Sequence, residues 1–226
     1  MNGVGMELVL DTADAQAVKE VSEVLTVSGV TTNPTIITKS GKTPEQVADE
    51  MLNVLSDDQS FFMQTVATDF EGMMADARKI CSLRSKNMYV KIPVTHTGLR
   101  AIKAAKAEGL GVLATAIYNA DAAFMAAMNG ADYLAPYVNR MESYGDGIGQ
   151  VMDLLEMLSI NNMSTKVIAA SFKNPHQVHE LIVAGIQAVT IPPAVAWSMI
   201  DHPGTQIAVD EFSAAWREAF GRDTFM

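Results

Sequence analysis

Short apolar runs alternate with longer amphipathic stretches along the whole chain. The apolar runs are hydrophobic at consecutive positions, which is typical of strands buried on both faces of a parallel sheet. The stretches between them repeat apolar residues every three or four positions, which predicts helices with one buried face. The predicted strands are Glu7–Leu10, Gly29–Thr31, Phe61–Val66, Met88–Ile92, Gly111–Ala116, Asp132–Pro136, Lys166–Ala170 and Ala188–Ile191.

A helix is predicted after each strand. The clearest start is Thr43-Pro44-Glu45-Gln46, with a threonine cap, proline at the first helical position and glutamine placed for a capping box. Asn119 or Asp121 opens the helix after the fifth strand. The other helices are predicted over about 14–25, 69–83, 97–108, 148–158, 174–183 and 193–200, and an extra amphipathic helix over 206–220.

Eight strand–helix units in a chain of 226 residues predict an α/β protein with a single (β/α)8 barrel. We expect one domain over 1–226, in which 204–226 forms an additional C-terminal helix and tail. A doubly wound sheet is the main alternative, but the glycine-rich first turn that is usual in that fold is missing. The extra helix carries Phe212 and Trp216, and it either closes the bottom of the barrel or docks on a neighbouring subunit.

The composition of the chain argues against nucleic acid and membranes as partners of the protein. The chain has 16 Lys and Arg against 26 Asp and Glu, a net charge of −10, and no basic stripe, so we do not expect nucleic acid as a partner. The single cysteine, Cys81, is typical of a reducing compartment. There is no apolar signal segment at the N-terminus and no run of transmembrane length, so we expect a cytoplasmic protein without a membrane partner.

Polar residues fall where successive predicted strands end, and the active sites of (β/α)8 barrels lie at the carboxyl ends of the strands. Each residue alone has a simpler explanation. Asp11 could cap the first helix, Asn33 could belong to a turn, and Lys91 could extend past the rim of the barrel. Taken together they predict a site. They are Asp11, Thr32, Asn33, Gln64, Lys91, Thr115, Tyr137, Asn139, Arg140, Ser171 and Lys173.

Lys91 carries the most specific chemistry. It lies in the middle of a β-branched apolar run, 88–95, which directs its side chain into the interior. Burial lowers the pKa of an amine, and a partly neutral amine at pH 7 is a nucleophile. Such an amine can attack a ketone and form an iminium ion, which makes the adjacent carbon–carbon bond easy to break or form. The sequence therefore predicts Schiff-base chemistry at Lys91.

The other polar residues receive roles around that lysine. Asp11 is predicted to orient substrate hydroxyls and assist proton movement. A glutamine cannot act as a general acid or base, so Gln64 and Thr115 are expected to hold a water while that water or Tyr137 moves the proton. The remaining residues are predicted to bind substrate (Thr32, Asn33, Asn139, Ser171) or a phosphate group at the late strands (Arg140, Ser171, Lys173).

Two other classes of function compete with this interpretation. A metal-dependent aldolase would need clustered ligands, and only His176 and His179 lie one helical turn apart. A solvated helix face explains that pair equally simply. A sugar-phosphate binding barrel without activity is the non-enzyme alternative, and the combination of Lys91, Asp11 and Tyr137 argues against it. No feature demands a flavin or pyridoxal cofactor.

Five segments resemble the small transaldolase family in order and spacing. They are Leu8-Val9-Leu10-Asp11-Thr12, Gly29-Val30-Thr31-Thr32-Asn33-Pro34, Val90-Lys91-Ile92-Pro93-Val94-Thr95, Ala135-Pro136-Tyr137-Val138-Asn139-Arg140 and Ala169-Ala170-Ser171-Phe172-Lys173. The resemblance covers nearly the whole chain. It implies a (β/α)8 barrel and class I aldol chemistry on sugar phosphates, with no metal and no cofactor. It also implies a homo-oligomer, commonly a decamer, in which the C-terminal helix reaches a neighbour.

Two activities occur in the family that the chain resembles. Transaldolases move a dihydroxyacetone unit from fructose 6-phosphate to erythrose 4-phosphate, and fructose-6-phosphate aldolases release free dihydroxyacetone and glyceraldehyde 3-phosphate. Transaldolases carry a glutamate at the position of Gln64 and a phenylalanine at that of Tyr137, whereas the aldolase group matches this chain at both. The resemblance therefore favours the aldolase. The segment 141–149 and Ile191-Pro192-Pro193 depart from the family pattern, and both could change which phosphorylated aldehyde fits.

Overall fold

The computed structural model describes residues 5–226, in which eight parallel strands form a closed barrel in chain order, with β1 paired to both β2 and β8. This confirms the predicted (β/α)8 fold. The strands are β1 (Glu7–Asp11), β2 (Gly29–Thr31), β3 (Ser60–Gln64), β4 (Met88–Pro93), β5 (Gly111–Ile117), β6 (Tyr133–Pro136), β7 (Lys166–Ala169) and β8 (Ala188–Ile191).

Eleven helices are present in the described part of the chain. They are α1 (Ala15–Val24), α2 (Pro34–Ser40), α3 (Pro44–Val54), α4 (Phe70–Cys81), α5 (His96–Ala107), α6 (Ala120–Met128), α7 (Val138–Glu142), α8 (Gly147–Ile160), α9 (Pro175–Val183), α10 (Pro193–Ile200) and α11 (Pro203–Phe220). Helices α2 and α7 were not predicted from the sequence. Both directly follow a strand at its carboxyl end, so they line the predicted site.

Local capping explains where several elements begin and end. The capping box of α3 is present, with Thr43 and Gln46 bonded to each other's backbone N–H groups. Asn119, rather than Asp121, caps α6 through its side chain. The third strand ends at Gln64 and not at Val66, because the backbone N–H of Val66 donates to the Asp76 carboxylate, 2.8 Å away, instead of continuing the ladder.

Side chains alternate between two cores. One face of each strand packs against the surrounding helices, and the other face fills the barrel, as expected from the two-residue period of a strand. The barrel interior contains Val9, Phe62, Leu113, Tyr133, Ala135, Ile168, Ala170 and Ala188, with Tyr89 and Tyr137 packed against them. The interior is therefore a filled core, and polar chemistry is confined to its ends.

Aromatic rings fill the amino end of the barrel. Phe62 stacks on Tyr89 at 4.9 Å between ring centroids, and Tyr133 meets both rings edge-on at 5.2 Å. The Tyr133 hydroxyl donates to Glu7, which also pairs with Lys166. Because these side chains already close this end, it does not require α11 as a cover, and no residue of α11 is buried.

Within residues 5–226, no helix has both the length and the apolar character that crossing a membrane requires.

Candidate active site

One layer of inward-facing side chains lies at the carboxyl end of the barrel. It follows from the strand alternation, because each of its members except Thr31 lies two positions beyond a residue that packs in the barrel interior. The layer contains all five predicted catalytic residues together with two threonines that were not predicted. Its members are Asp11, Thr31, Gln64, Lys91, Thr115, Tyr137 and Thr190.

Lys91 lies in the middle of β4 and is only 2% exposed, so its side chain does not reach solvent at the barrel rim. Its Nζ donates to the backbone carbonyl oxygen of Thr32, 2.9 Å away. Burial lowers the pKa of the Lys91 amine, and the nearby negative charge of Asp11 partly opposes that shift. The site thus holds a lysine whose neutral form is favoured by its surroundings.

Asp11 ends β1 and points toward the same interior. Burial raises the pKa of its carboxyl group, while the charge of Lys91 and a hydrogen bond from Thr31 act in the opposite direction. The Thr31 hydroxyl donates to Asp11 Oδ1 at 2.7 Å. Asp11 does not cap α1, because Asp14 accepts the bonds from the first N–H groups of that helix. Its carboxylate is therefore available to a ligand in the barrel.

Tyr137 and Thr115 form a second polar pair in this layer, with 3.1 Å between their hydroxyl oxygens. Burial raises the pKa of the Tyr137 phenol, so it stays protonated at neutral pH. The side-chain oxygen of Gln64 is buried and has no hydrogen-bond partner among the described residues. A buried acceptor without a partner is a place where a water or substrate hydroxyl would be stabilised.

Ala116 has a φ of 55°, and the pairing of β5 with β6 shifts register between Ala114 and Ile117. This bulge immediately follows Thr115. Bulges re-aim neighbouring side chains and are frequent beside active sites. The irregularity therefore lies directly beside the contact between the Thr115 and Tyr137 hydroxyls.

Arg140, one of the three predicted phosphate ligands, lies on α7, which directly follows β6. Its Nη1 donates to the Tyr118 hydroxyl at 3.3 Å, and its guanidinium lies 5.0 Å from the centroid of the Tyr137 ring. Arg140 forms no salt bridge within residues 5–226, so its charge is not neutralised by a carboxylate there. Tyr118 follows β5 and was missed, because only the folded chain brings it beside α7.

The two other predicted phosphate ligands follow β7. Ser171 has a φ of 64°, and its carbonyl oxygen accepts a hydrogen bond from the Asn139 N–H. Asn139 is further held by Gln177, whose side chain donates to its Oδ1 at 3.3 Å. Lys173 is exposed and makes no ion pair with the described residues. Ser171 and Asn139 are thus brought together, whereas Lys173 stands further out.

Thr32 and Asn33, which follow β2 and were predicted to bind substrate, use parts of their side chains for contacts within the protein. The Thr32 hydroxyl points to the carbonyl oxygen of Phe62 at 3.4 Å, so Thr32 offers the site its backbone carbonyl rather than its side chain. Asn33 caps α2, with its Oδ1 accepting from the Ile36 N–H at 3.0 Å. Its side-chain NH₂ group remains available as a donor.

Thr31 and Thr190 are the residues that the sequence analysis missed in this layer. Both hydroxyls are buried, and their oxygens are 2.7 Å apart. The signal that identifies them is the strand alternation. Thr190 lies two positions after the interior residue Ala188, and Thr31 lies two positions after Gly29, which pairs with the interior residue Val9. Because the next residue, Thr32, is also polar, the sequence alone did not show which of the two threonines faces the barrel interior.

The two histidines that lie one helical turn apart, His176 and His179, are on α9. His176 and Glu180 face each other one turn apart on α9, with 3.6 Å between His176 Nε2 and a Glu180 carboxylate oxygen. No group of three or more His, Cys, Asp or Glu side chains in the described part of the chain is arranged to hold a metal ion.

Fold and site together define a class of protein: a (β/α)8 barrel with a buried lysine and a carboxylate at the carboxyl end of its strands. The chain belongs to the transaldolase/fructose-6-phosphate aldolase family, whose model matches residues 8–224. This confirms the resemblance seen in the sequence motifs, and membership of the family makes the protein an enzyme of the aldolase or transaldolase type.

Two solved structures share the fold at low sequence identity. One, described as "Native KDPGal structure", has 15% identity and a TM-score of 0.58, and the match covers 93% of this chain and 98% of that one. Another, a cube-shaped, highly porous protein cage designed by fusing symmetric oligomeric domains, has 16% identity and a TM-score of 0.59, with 96% and 80% covered. These likenesses support the barrel fold.

Proposed function

We propose that the protein is a class I aldolase that reversibly cleaves fructose 6-phosphate to dihydroxyacetone and glyceraldehyde 3-phosphate. The observation that carries this proposal is the buried amine of Lys91 beside the carboxylate of Asp11. Burial favours the neutral amine that must attack the ketone, and the adjacent carboxylate favours the positive iminium ion that follows.

The proposed reaction begins when Lys91 Nζ adds to the carbonyl carbon of the ketose and the carbinolamine loses water. The resulting iminium ion accepts the electron pair of the adjacent carbon–carbon bond, while Asp11 assists removal of the proton from the hydroxyl that becomes the aldehyde. Glyceraldehyde 3-phosphate leaves, and an enamine of dihydroxyacetone remains on Lys91. Protonation of the enamine carbon and addition of water then release dihydroxyacetone.

The choice of aldolase over transaldolase rests on the proton donor for the enamine. Tyr137 stays protonated because burial raises its pKa, and its hydroxyl is fixed by Thr115 at 3.1 Å. A phenol, or a water held by Thr115 and Gln64, can protonate the enamine, so the donor unit can leave without an acceptor aldehyde. Transaldolase activity with erythrose 4-phosphate is the alternative.

The phosphate group is assigned to the side of the site formed by α7 and the segment after β7. Arg140 offers a guanidinium without a carboxylate partner among residues 5–226, and guanidinium groups bind phosphate through two parallel hydrogen bonds. Ser171 and Lys173 extend that side. The side-chain amides of Asn33 and Asn139 are proposed to bind the hydroxyls of the sugar.

The test is release of glyceraldehyde 3-phosphate from fructose 6-phosphate by the purified protein, with and without erythrose 4-phosphate. Release without the acceptor supports the aldolase. Release only when erythrose 4-phosphate is present identifies a transaldolase and shows that the inference from Tyr137 and Gln64 is wrong. Absence of release in both assays contradicts fructose 6-phosphate as the substrate.

A further inference from the structure

Three side chains on three neighbouring strands form a continuous hydrogen-bonded series at the junction where the barrel closes. The Thr31 hydroxyl oxygen lies 2.7 Å from Asp11 Oδ1 and 2.7 Å from the Thr190 hydroxyl oxygen. Thr31 is on β2, Asp11 on β1 and Thr190 on β8, and β1 pairs with both of the other strands. The two threonines are 0% and 1% exposed, so bulk water does not compete for these bonds.

The direction of this series follows from the chemistry of its members. A hydroxyl has one hydrogen to donate, and an ionised carboxylate can only accept. When Asp11 is ionised, Thr31 therefore donates to Asp11, and Thr190 must donate to Thr31. Hydrogen bonds that run in one direction polarise each other, so the second bond strengthens the first.

We infer that Thr190 is a positioning residue for the aldol reaction: it fixes the Thr31 hydroxyl as a donor and so holds Asp11 ionised and correctly oriented toward Lys91. This inference rests on the function proposed above. Thr190 acts on the reaction through Thr31 and Asp11. It thereby gives β8, which carries none of the residues predicted to act on the substrate, a role in the site.

The charged and titratable groups that face Asp11 are on other strands. Lys91 on β4 stabilises its negative charge, and the phenol of Tyr137 on β6 interacts with it. Loss of the Thr190 hydroxyl leaves these two groups in place and weakens only the hydrogen bonds that run from Thr190 through Thr31 to Asp11. Because a carboxylate that loses hydrogen-bond stabilisation is protonated more easily, the acid limb of the pH–rate profile should move to higher pH.

The experiment compares Thr190→Val, which removes the hydroxyl while keeping the shape, with Thr190→Ser, which keeps the hydroxyl. Thr65→Val is the matched control, because Thr65 is also buried near the carboxyl end of a strand but its hydroxyl has no partner among the described residues. Cleavage of fructose 6-phosphate is measured across pH for each variant, with the free energy of unfolding as a check on folding.

We expect Thr190→Val to lower kcat about 2- to 12-fold and to raise the acid limb by about 0.4 to 1 pH unit, the range that one neutral hydrogen bond gives if its loss is transmitted in full. The KM should change little, because Thr190 is not among the proposed phosphate contacts and its two hydroxyl partners in the series do not include them. Thr190→Ser and Thr65→Val should keep the wild-type acid limb. An unchanged limb in Thr190→Val, or an equal shift in Thr65→Val, would overturn the inference.

A second readout does not depend on turnover. The ¹³C resonance of the Asp11 carboxyl carbon, assigned with Asp11→Asn, is titrated in the free protein. A rise of the Asp11 pKa in Thr190→Val but not in Thr190→Ser supports the role of Thr190 even if the wild-type protein leaves fructose 6-phosphate uncleaved, a result that would count against the proposed function alone. Equal titration curves in both variants contradict the role of Thr190.

Discussion

At the residue scale, Lys91 and Asp11 are ionisable groups whose pKa values burial shifts in opposite directions. Desolvation lowers the pKa of the amine and raises that of the carboxyl, and each charge partly offsets the shift of the other. A change in the charge of either residue therefore shifts the pKa of the other. This coupling suits a reaction that alternates between a neutral amine and a positive iminium ion at one nitrogen.

Substitution of Lys91 tests the covalent step. Lys91→Met keeps the unbranched shape of the side chain, one atom shorter, but removes the nucleophile, so we expect a loss of turnover on the order of 10³-fold or more. Borohydride reduction in the presence of dihydroxyacetone should attach a three-carbon unit to the wild-type protein and not to this variant. Lys103→Met, at an exposed position on α5, is the control and should behave like the wild type. Trapping that survives in Lys91→Met would remove Lys91 from the mechanism.

Substitution of Tyr137 separates the two candidate activities. Tyr137→Phe removes the hydroxyl that lies 3.1 Å from Thr115 but keeps the ring that supports Arg140. If the phenol protonates the enamine, the rate of dihydroxyacetone release without an acceptor should fall about 10²- to 10⁴-fold, which is the rate enhancement that a general acid usually provides. Transfer to erythrose 4-phosphate should fall less, because an aldehyde acceptor replaces the proton. Equal losses of both rates would argue against Tyr137 as the donor.

Arg140 is predicted to act on binding rather than on chemistry. Arg140→Ala should raise the KM for fructose 6-phosphate by about 10- to 100-fold with a smaller change in kcat, because it removes a charge-assisted contact to the phosphate. Tyr118→Phe removes only the oxygen that accepts from Arg140, so its effect should be in the same direction and smaller. Cleavage of unphosphorylated fructose is the control and should be nearly insensitive to both changes. A KM that stays constant in Arg140→Ala would place the phosphate elsewhere.

At the scale of elements, the strand that carries Lys91 is fixed by a close approach to the following helix. Gly98, in the first turn of α5, is buried, and a Cβ added there would overlap the carbonyl oxygen of Pro93 at the end of β4. Gly98→Ala should therefore lower the free energy of unfolding by about 1–3 kcal/mol, despite the better helix propensity of alanine. Urea denaturation measures this change. Gly5→Ala, where no atom lies within 4 Å of the added Cβ, should leave stability unaltered, and an equally stable Gly98→Ala would contradict the packing argument.

Hydrophobic periodicity was sufficient to predict all eight strands and the longer helices between them, because an amphipathic helix of eight or more residues shows its period clearly. Helices α2 and α7 escaped prediction because they span only seven and five residues and begin inside the polar motifs after β2 and β6. The ends of elements also moved where a side chain captures the backbone, as Asp76 does after β3.

The candidate site was predictable in type but not in detail. A lysine within an apolar strand is easily recognised in the sequence, because burial of an amine is unusual. The site uses the hydroxyl of Thr31 and not that of Thr32. Which of the two faces the barrel interior depends on the alternation of the three-residue strand β2, and the sequence does not reveal it because both positions hold threonine. The contact between Tyr118 and Arg140 joins two loops and exists only once the barrel has closed.

At the scale of the whole molecule, the barrel is complete without its last helix. Aromatic rings fill the amino end, helices cover the outer faces of the strands, and α11 contributes no buried residue to either core. Phe212 on this helix is 71% exposed, and Val209 and Phe220, which lie within about 80° of it around the helix, are also exposed. An 18-residue helix with such a face gains little from propensity alone, so packing against another surface is expected to stabilise it.

We therefore expect the protein to be a homo-oligomer in which α11 packs on a second copy of the chain, as its family resemblance implies. Phe212→Asp places a charge on the apolar face and should reduce the particle mass measured by sedimentation equilibrium toward that of the 24.3 kDa monomer. Ala214→Asp adds the same charge about 200° around the helix, given 3.6 residues per turn, and should leave the mass unchanged. A wild-type protein that sediments as a monomer would rule out this assembly. Equal dissociation of both variants would show that added charge, rather than the apolar face, controls it.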